Sequence, residues 1–301
     1  MEPLISIVTP SFNQVQFLEQ TIRSVLDQHF SGLEYMVVDG GSNDGSVDII
    51  TKYAGELSWW VSEPDQGQGD AIRKGFARAK GKYLAWINSD DTYLPGSFKQ
   101  AVAALEANPD WGLVYGDVLA VNEKDQKINL LTYQPYQLQE LMQFHIIGQP
   151  AVFLRREVYE QAGGISSAFH YLLDHHLWLR MAALQPIGYV PQTWAAARFH
   201  QAAKNTAMAA EFAGEALQIA GWLEQEAPFK QVMTAISDKV WAGSYRFGAR
   251  YLSEGMQYKE ALKMYRSAWQ HNPQVVLRDW KRLGVTMLGR LGLWKQPVKK
   301  Q

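Results

Sequence analysis

Apolar residues in the first third of the chain fall into short runs that end on polar or acidic residues, with helically spaced stretches between them. Leu4-Ile5-Ser6-Ile7-Val8 is a β-branched run stopped by Pro10, which predicts a central strand followed by the loop Pro10-Ser11-Phe12-Asn13. Leu18, Ile22, Val25 and Leu26 repeat at helical spacing through about Gln28. Tyr35-Met36-Val37-Val38 predicts a second strand ending on Asp39. Strand, helix and strand within this length form a βαβ unit, so the two strands are expected to be parallel with a right-handed crossover. Leu57-Ser58-Trp59-Trp60-Val61 predicts a third strand, running into a polar loop from Glu63 to Asp70 and a helix to about Ala79. Tyr83-Leu84-Ala85-Trp86-Ile87 predicts a buried fourth strand that empties into Asn88-Ser89-Asp90-Asp91.

In an open α/β sheet, ligands bind just beyond the carboxyl ends of the strands. Two adjacent carboxylates there repel each other unless a cation or a set of donors neutralises them. A hard divalent ion suits one or two carboxylates plus substrate phosphates. Asp90 and Asp91 therefore point to a metal-assisted diphosphate site; the alternative is that one of them caps the next helix, which Pro95 and Gly96 precede. Asp39, followed by Gly40-Gly41-Ser42-Asn43-Asp44-Gly45-Ser46, stands where a carboxylate commonly accepts from a ribose hydroxyl. Asp44-Gly45 also reads as a plain turn before a helix starting at Ser46. No Gly-x-Gly-x-x-Gly follows the first strand, so this is not the dinucleotide fingerprint.

Further along, Gly112 to Val118 predicts another strand, and Asn122-Glu123-Lys124-Asp125-Gln126 a hairpin turn returning through Thr132. The centre of His145 to Arg156 predicts a strand. From Tyr171 to Arg180, Leu173, Leu177 and Arg180 lie at helical spacing, with Asp174 and Trp178 on an adjoining stripe. Beyond about residue 205 the pattern becomes continuous helix, rich in Ala, Leu and Glu from Ala207 to Glu226. Ala242 to Leu252 and Tyr258 to Ala268 make a helix pair about as long as one tetratricopeptide-like unit, which alone packs on the preceding domain or holds a protein partner. The final stretch mixes Leu277, Trp280, Met287, Leu288 and Leu291 with Arg278, Lys281, Arg290 and Lys299. That suits either an interfacial helix giving peripheral contact with an anionic membrane, or a helix covering the protein's own core.

Composition narrows the classes. The chain has 301 residues, enough for one large domain with an appendage, and its net charge of -1 gives no bulk electrostatic case for nucleic acid. The absence of cysteine excludes disulfides and thiolate-bound zinc and is compatible with a reducing compartment. No apolar run of about 18 residues occurs. Met1-Glu2-Pro3-Leu4 lacks the basic and apolar regions of a signal peptide, so a cytoplasmic location is expected.

The motifs together resemble those of the family 2 glycosyltransferases: Val8-Thr9-Pro10-Ser11-Phe12-Asn13, Val37 to Ser46, Ser62-Glu63-Pro64-Asp65-Gln66-Gly67 and Asn88-Ser89-Asp90-Asp91, in matching order and spacing. The resemblance implies an α/β GT-A fold, Rossmann-like, with a mixed, mostly parallel sheet flanked by helices and here a C-terminal helical extension. It places the catalytic domain at 1–205, with a nucleotide-sugar half at about 1–118 and an acceptor half at about 119–205, and leaves 206–301 as the helical region. It also implies inverting transfer from a nucleotide-diphosphate sugar, a UDP-sugar, to a saccharide or lipid-linked acceptor, with Mn²⁺ or Mg²⁺, in polysaccharide, cell-envelope or glycolipid synthesis. By the resemblance Pro10, Ser11 and Asn13 lie along the nucleotide, Asp39 holds the base or ribose, and Asp70 and Arg73 line the nucleotide pocket. Asp90 faces the ribose or donor sugar, Asp91 binds the metal, and Gln149 lies near the donor sugar or acceptor. Asp174 is the base, the retained second member of a Glu-Asp pair whose first member is Leu173 here; its bland alternative is a helix cap. His175 and His176 are divided between contacting the acceptor or base and packing. Arg198-Phe199-His200 matches an Arg-x-His segment whose histidine closes over the diphosphate and completes the metal shell, so His200 is expected at both donor and metal, with Lys204 near the phosphates. A sugar nucleotidyltransferase and a catalytically silent nucleotide-binding scaffold remain the other readings.

Overall fold

A computed structural model describes residues 2–199 and 208–294. These residues form two compact units, one of 2–137 with 147–199 and one of 138–146 with 208–294.

The first unit is built on a single mixed sheet. Its strands are β1 (Ile5–Ser11), β2 (Leu33–Asp39), β3 (Trp59–Ser62), β4 (Tyr83–Trp86), β5 (Thr92–Tyr93), β6 (Leu113–Val121), β7 (Lys127–Leu131), β8 (Val152–Arg155) and β9 (Ile187–Arg198). They lie in the order β3-β2-β1-β4-β8-β6-β9-β5, with β7 paired to β6. β1 to β4 are mutually parallel, as the βαβ reading requires, whereas β8 runs antiparallel to both β4 and β6. The carboxyl ends of β2, β1 and β4 therefore sit side by side, bringing Asp39, Ser11 and the Asn88–Asp91 turn to one rim.

Side-chain alternation divides the core. Ile5, Ile7, Tyr83 and Ala85 face a cluster with Leu18 and Ile22 of α1 (Val15–Leu26) and Phe98 of α4 (Ser97–Ala107). Val8 and Trp86 face the other layer, where Phe76 of α3 (Gln68–Phe76) meets the Trp86 ring edge-on at 6.1 Å. A Cβ on Gly75 of α3 would stand 2.6 Å from both Val8 methyls, so glycine is what lets this helix lie so close to β1.

The first strand is longer than its sequence predicts: Pro10 and Ser11 continue β1, in register with Val38 and Asp39. Val8 O accepts from Ile87 N on the β4 side, and Pro10, two residues on, turns its missing donor to that same side, beyond the end of β4. Nothing there needs the N–H, so the sheet tolerates the proline. Neither Asp90 nor Asp91 caps α4, whose N-cap is Gly96; β5 intervenes.

The second unit is helical: α5 (Leu138–Met142), then, after α6 (Arg156–Gln161) and α7 (Leu173–Leu184) of the first unit, α8 (Ala209–Gln225), α9 (Ala227–Glu254), α10 (Tyr258–His271), α11 (Pro273–Arg278) and α12 (Trp280–Arg290). The sequence assigns all of 119–205 to the acceptor half, but 138–146 packs among these helices. Phe144 O accepts from Arg246 at 3.1 Å, and Gln143 O leaves no room for a Cβ on Gly243 of α9. Ala242 to Leu252 form the last part of the longer α9 and Tyr258 to Ala268 lie in α10, the two packed through Ala249, Tyr265 and Ala268. Within α12 only Thr286 is fully buried, and Leu283 packs against the Ala249, Tyr265 and Ala268 cluster, so one side of this segment lies on the core of the helical unit. Among the described residues no helix is long and apolar enough to cross a membrane.

Candidate active site

The loops after β1 and β2 are laced together by side chains that sequence singled out. Asn13 takes a positive φ of 50°, donates its N–H to Ser42 Oγ at 2.7 Å and accepts from Asn43 N at 3.0 Å. Asp44 Oδ2 accepts from Val15 N at 2.9 Å, in the first turn of α1. Burial works to raise the Asp44 carboxyl, but the Ser46 hydroxyl and the N–H groups of Val15 and Ser46 outweigh it and hold the group below the ordinary value. Asp39 is fully buried and accepts from Gly41 N, Ser42 N, Ser42 Oγ and Ser62 Oγ at 3.1, 2.8, 2.6 and 2.7 Å. Those bonds take up most of what one carboxylate can accept, so Asp39 shapes the glycine loop. Beside it, the hydroxyl of Ser11 is buried and has no protein partner.

At the end of β4 the two acids differ. Asp90 is half-buried, while Asp91 is only 6 % exposed. Asp91 Oδ1 accepts from Arg198 N at 2.9 Å; Oδ2 has only a long contact, 3.4 Å, from the Asn88 amide. Burial first, and then the charge of Asp90, push the Asp91 carboxyl well above the usual carboxylate range. The turn is hung on Arg198. Its guanidinium donates to Asp90 O at 3.0 Å, to Asn122 O at 3.2 Å and to Gln20 Oε1 at 2.8 Å, pairs with Asp125 at 2.8 Å and lies 4.6 Å over the Phe17 ring. Thr21 Oγ1 adds a bond to Asp91 O at 2.7 Å.

Asp174 is the second residue of α7, whose N-cap is Leu172, so it does not cap the helix. One turn on, Trp178 stacks on Trp86 with ring centroids 5.3 Å apart, which fastens the start of α7 over the last residue of β4. Gln149 is buried beside this junction and donates from Nε2 to Trp86 O at 2.8 Å, leaving Oε1 buried without a partner. At the first turn of α3, Gly69 lies 3.7 Å, at its missing Cβ, from Leu173 of α7. Asp70 next to it pairs with Arg73 at 3.1 Å and Lys74 at 3.5 Å. The sequence-predicted Asp70, Arg73, Asp90, Asp91, Gln149 and Asp174 thus belong to elements in mutual contact around the end of β4, and Ser11, Asn13 and Asp39 to the adjoining strand ends.

Residues 6–163 match the model of glycosyl transferase family 2, more than half of the chain. The chain belongs to that family. It is 29% identical over 187 residues to the uncharacterized glycosyltransferase Rv1514c of Mycobacterium tuberculosis, covering 60% of this chain and 69% of the relative. The uncharacterized glycosyltransferase RP339 of Rickettsia prowazekii is 25% identical over 216 residues, 68% of this chain and 67% of its own. Among solved structures, the mannosyltransferase PcManGT of Pyrobaculum calidifontis, in complex with GDP-Man and Mn²⁺, superposes with a TM-score of 0.64 at 17% identity, over 99% of this chain and 89% of that one. S. aureus TarS 1-349 in complex with UDP-GlcNAc gives 0.59 at 13% identity, over 97% and 93%. The fold is GT-A, and the protein is a glycosyltransferase.

In this glycosyltransferase His200 and Lys204 lie outside the described residues. Arg198 was not given a role by its sequence motif, nor was the Trp86 and Trp178 stack; the only local signal was the apolar–aromatic run on each side. His175 and His176 are both buried, whereas sequence reserved one of them for the acceptor or base. The His176 ring lies 4.4 Å from the Phe169 ring. Burial first, then the charges of Arg180 and His175, push His176 down to about 3. The unfolded chain takes up this proton near 6.5 and the folded one does not, so the associated stability is present above that pH and is lost as pH falls towards 3. The melting temperature is expected to drop by roughly 3 °C per pH unit from this group alone below about 6.5. His176→Leu should flatten the slope; equal slopes in both proteins would assign the acid sensitivity elsewhere.

Proposed function

We propose that this enzyme transfers a sugar from a uridine diphosphate sugar to a hydroxyl of a saccharide or lipid-linked acceptor, inverting the anomeric configuration, with Mn²⁺ or Mg²⁺ bound. The observation that carries the reading is the joining of Asp174 to the Asp90-Asp91 turn through the Trp86 and Trp178 stack. The similarity to TarS, in complex with UDP-GlcNAc, and to PcManGT, in complex with GDP-Man and Mn²⁺, supports a nucleotide-sugar donor and a divalent ion.

The acids fit such an ion. Burial and Asp90 both oppose a charge on Asp91, and its Oδ2 has only one long contact. A cation relieves that conflict, so Asp91 Oδ2 would hold it, with Asp90 beside it facing the ribose or donor sugar. Among the described residues no cluster of three or more His, Asp or Glu is assembled. When bound, the ion supplies Lewis-acid stabilisation of the charge that builds on the departing diphosphate.

The side chains do the rest. Ser11 Oγ offers a hydrogen bond to the nucleotide, and Asp39 keeps the glycine loop in the shape that lets a nucleoside approach the backbone. Gln149 Oε1 accepts from a sugar hydroxyl. Asp174 takes the proton of the acceptor hydroxyl as that oxygen attacks the anomeric carbon from the face opposite the diphosphate. One base and one displacement give inversion.

Thermal shifts with UDP and GDP, each with and without Mn²⁺, test this. UDP with Mn²⁺ should stabilise the protein by about 2.7 kcal/mol at a hundred times its dissociation constant. Asp91→Asn removes a buried, repelled charge, so the unliganded variant should melt no lower than wild type, yet the shift with UDP and Mn²⁺ should vanish. A retained shift would remove Asp91 from the metal site, and a shift with GDP alone would overturn the choice of base.

A further inference from the structure

The last described helix carries its apolar side outward. Its inner side is satisfied within the helical unit: Thr286 Oγ1 and Ser253 Oγ share a hydrogen bond of 2.8 Å, and Tyr265 donates to Asp279 at 2.8 Å just before the helix. Arg282 pairs with Glu254 at 3.4 Å, and Gly289 lies against the Tyr258 ring. The opposite side holds Trp280, Met287, Leu288 and Leu291, which at positions i, i+7, i+8 and i+11 occupy one arc of the helix. Trp280 is 63 % exposed and Leu291 69 %. Lys281 and Arg290 border the arc and are exposed; Lys281 Nζ stands 5.8 Å from the Trp280 ring centroid.

Charge says what this surface suits. From Trp280 to the end the sequence has six basic residues, Lys281, Arg282, Arg290, Lys295, Lys299 and Lys300, and no acidic one, in a chain whose net charge is -1. An exposed Trp and Leu arc edged by Lys and Arg is the make-up of helices that lie in the headgroup region of a bilayer, apolar side down. Anionic headgroups attract the basic edge. A second copy of the chain is the poorer match. A two-fold contact sets the same patch against itself, so two strongly basic edges would meet.

We propose that α12 docks this protein on an anionic lipid surface, with Trp280, Met287, Leu288 and Leu291 inserted and Lys281 and Arg290 at the headgroups. The proposal is independent of the donor and acceptor named above, since it concerns only the outer side of one helix.

Co-sedimentation of the full chain with vesicles of phosphatidylcholine, with and without phosphatidylglycerol, tests it. Wild type should pellet with the anionic vesicles, remain in the supernatant with the neutral ones, and be released by high salt. Trp280→Ser with Leu291→Ser should lower the bound fraction about tenfold or more without lowering the melting temperature, since both side chains are exposed. Lys281→Gln with Arg290→Gln should weaken the preference for anionic vesicles. Wild type left in the supernatant of both vesicle types, or a Trp280→Ser/Leu291→Ser variant that pellets like wild type, would overturn the proposal. So would light scattering that shows a dimer which those two substitutions dissociate, because the arc would then belong to a second copy.

Discussion

Asp174→Asn is expected to lower turnover by a factor of about 10² to 10⁴, the range for a lost general base, while donor affinity and melting temperature stay near wild type. The substitution keeps shape and removes the charge that lets the group take a proton. Asp174 Oδ1 accepts from His175 N at 2.7 Å, and an asparagine Oδ1 can accept the same bond. Leu172, not Asp174, is the N-cap of α7, so no cap is lost. The Trp86 and Trp178 stack that fixes the helix start is untouched. A role confined to kcat separates a base from a residue that merely supports the fold, which would lower the melting temperature as well. The wild-type product should carry the inverted anomeric configuration, read by proton NMR of the first-formed sugar. Normal turnover in Asp174→Asn, or retention in the product, would show that another group does this work.

Arg198→Ala should be the most damaging single change to the fold of the first unit, about 3–5 kcal/mol, which for a chain of this size is on the order of 10 °C in melting temperature. The side chain is 2% exposed, and its removal takes the guanidinium from Asp90 O, one of two donors from Asn122 O, which keeps the Asp125 N–H at 3.1 Å, and the ion-pair partner from Asp125. Arg198→Lys should recover little, because one ammonium cannot reach a set of acceptors spread around a planar guanidinium. The same bonds hold the Asp90-Asp91 turn against β9, so the stabilisation by UDP and Mn²⁺ should be lost together with the melting temperature. A variant that melts normally, or that melts low but keeps full donor affinity, would separate the turn from its anchor.

What could be read from the chain alone follows from where the information lies. The strands β1, β2 and β4 are apolar runs buried on both sides, and their order with the intervening helices gives a parallel half-sheet by connection length alone. The acids at their ends stand in the linear sequence beside the runs they terminate, so Asp39, Asp90 and Asp91 could be named directly. What Asp91 experiences could not. Its burial depends on β9, whose Arg198 is 107 residues away along the chain. Arg198 itself is anchored by Gln20, 178 residues away, and by the Asn122 turn, and no local pattern joins those positions. Pro10 looks like a stop because propensity is local, whereas its tolerance in β1 depends on β4 ending two residues earlier. The helix pair of the second unit was legible from spacing, but not the capture of 138–146, which rests on Gly243 and Arg246 meeting a segment a hundred residues before them.

In the proposed site the acids at the end of β4 bind a nucleoside diphosphate through a divalent ion. Isothermal titration of UDP into the full chain, once with Mn²⁺ and once with a chelator, tests it most directly. Binding is expected with Mn²⁺, with a loss of affinity of about tenfold or more in the chelator, or about 1.4 kcal/mol. Equal affinity in both, or no binding in either, would contradict it.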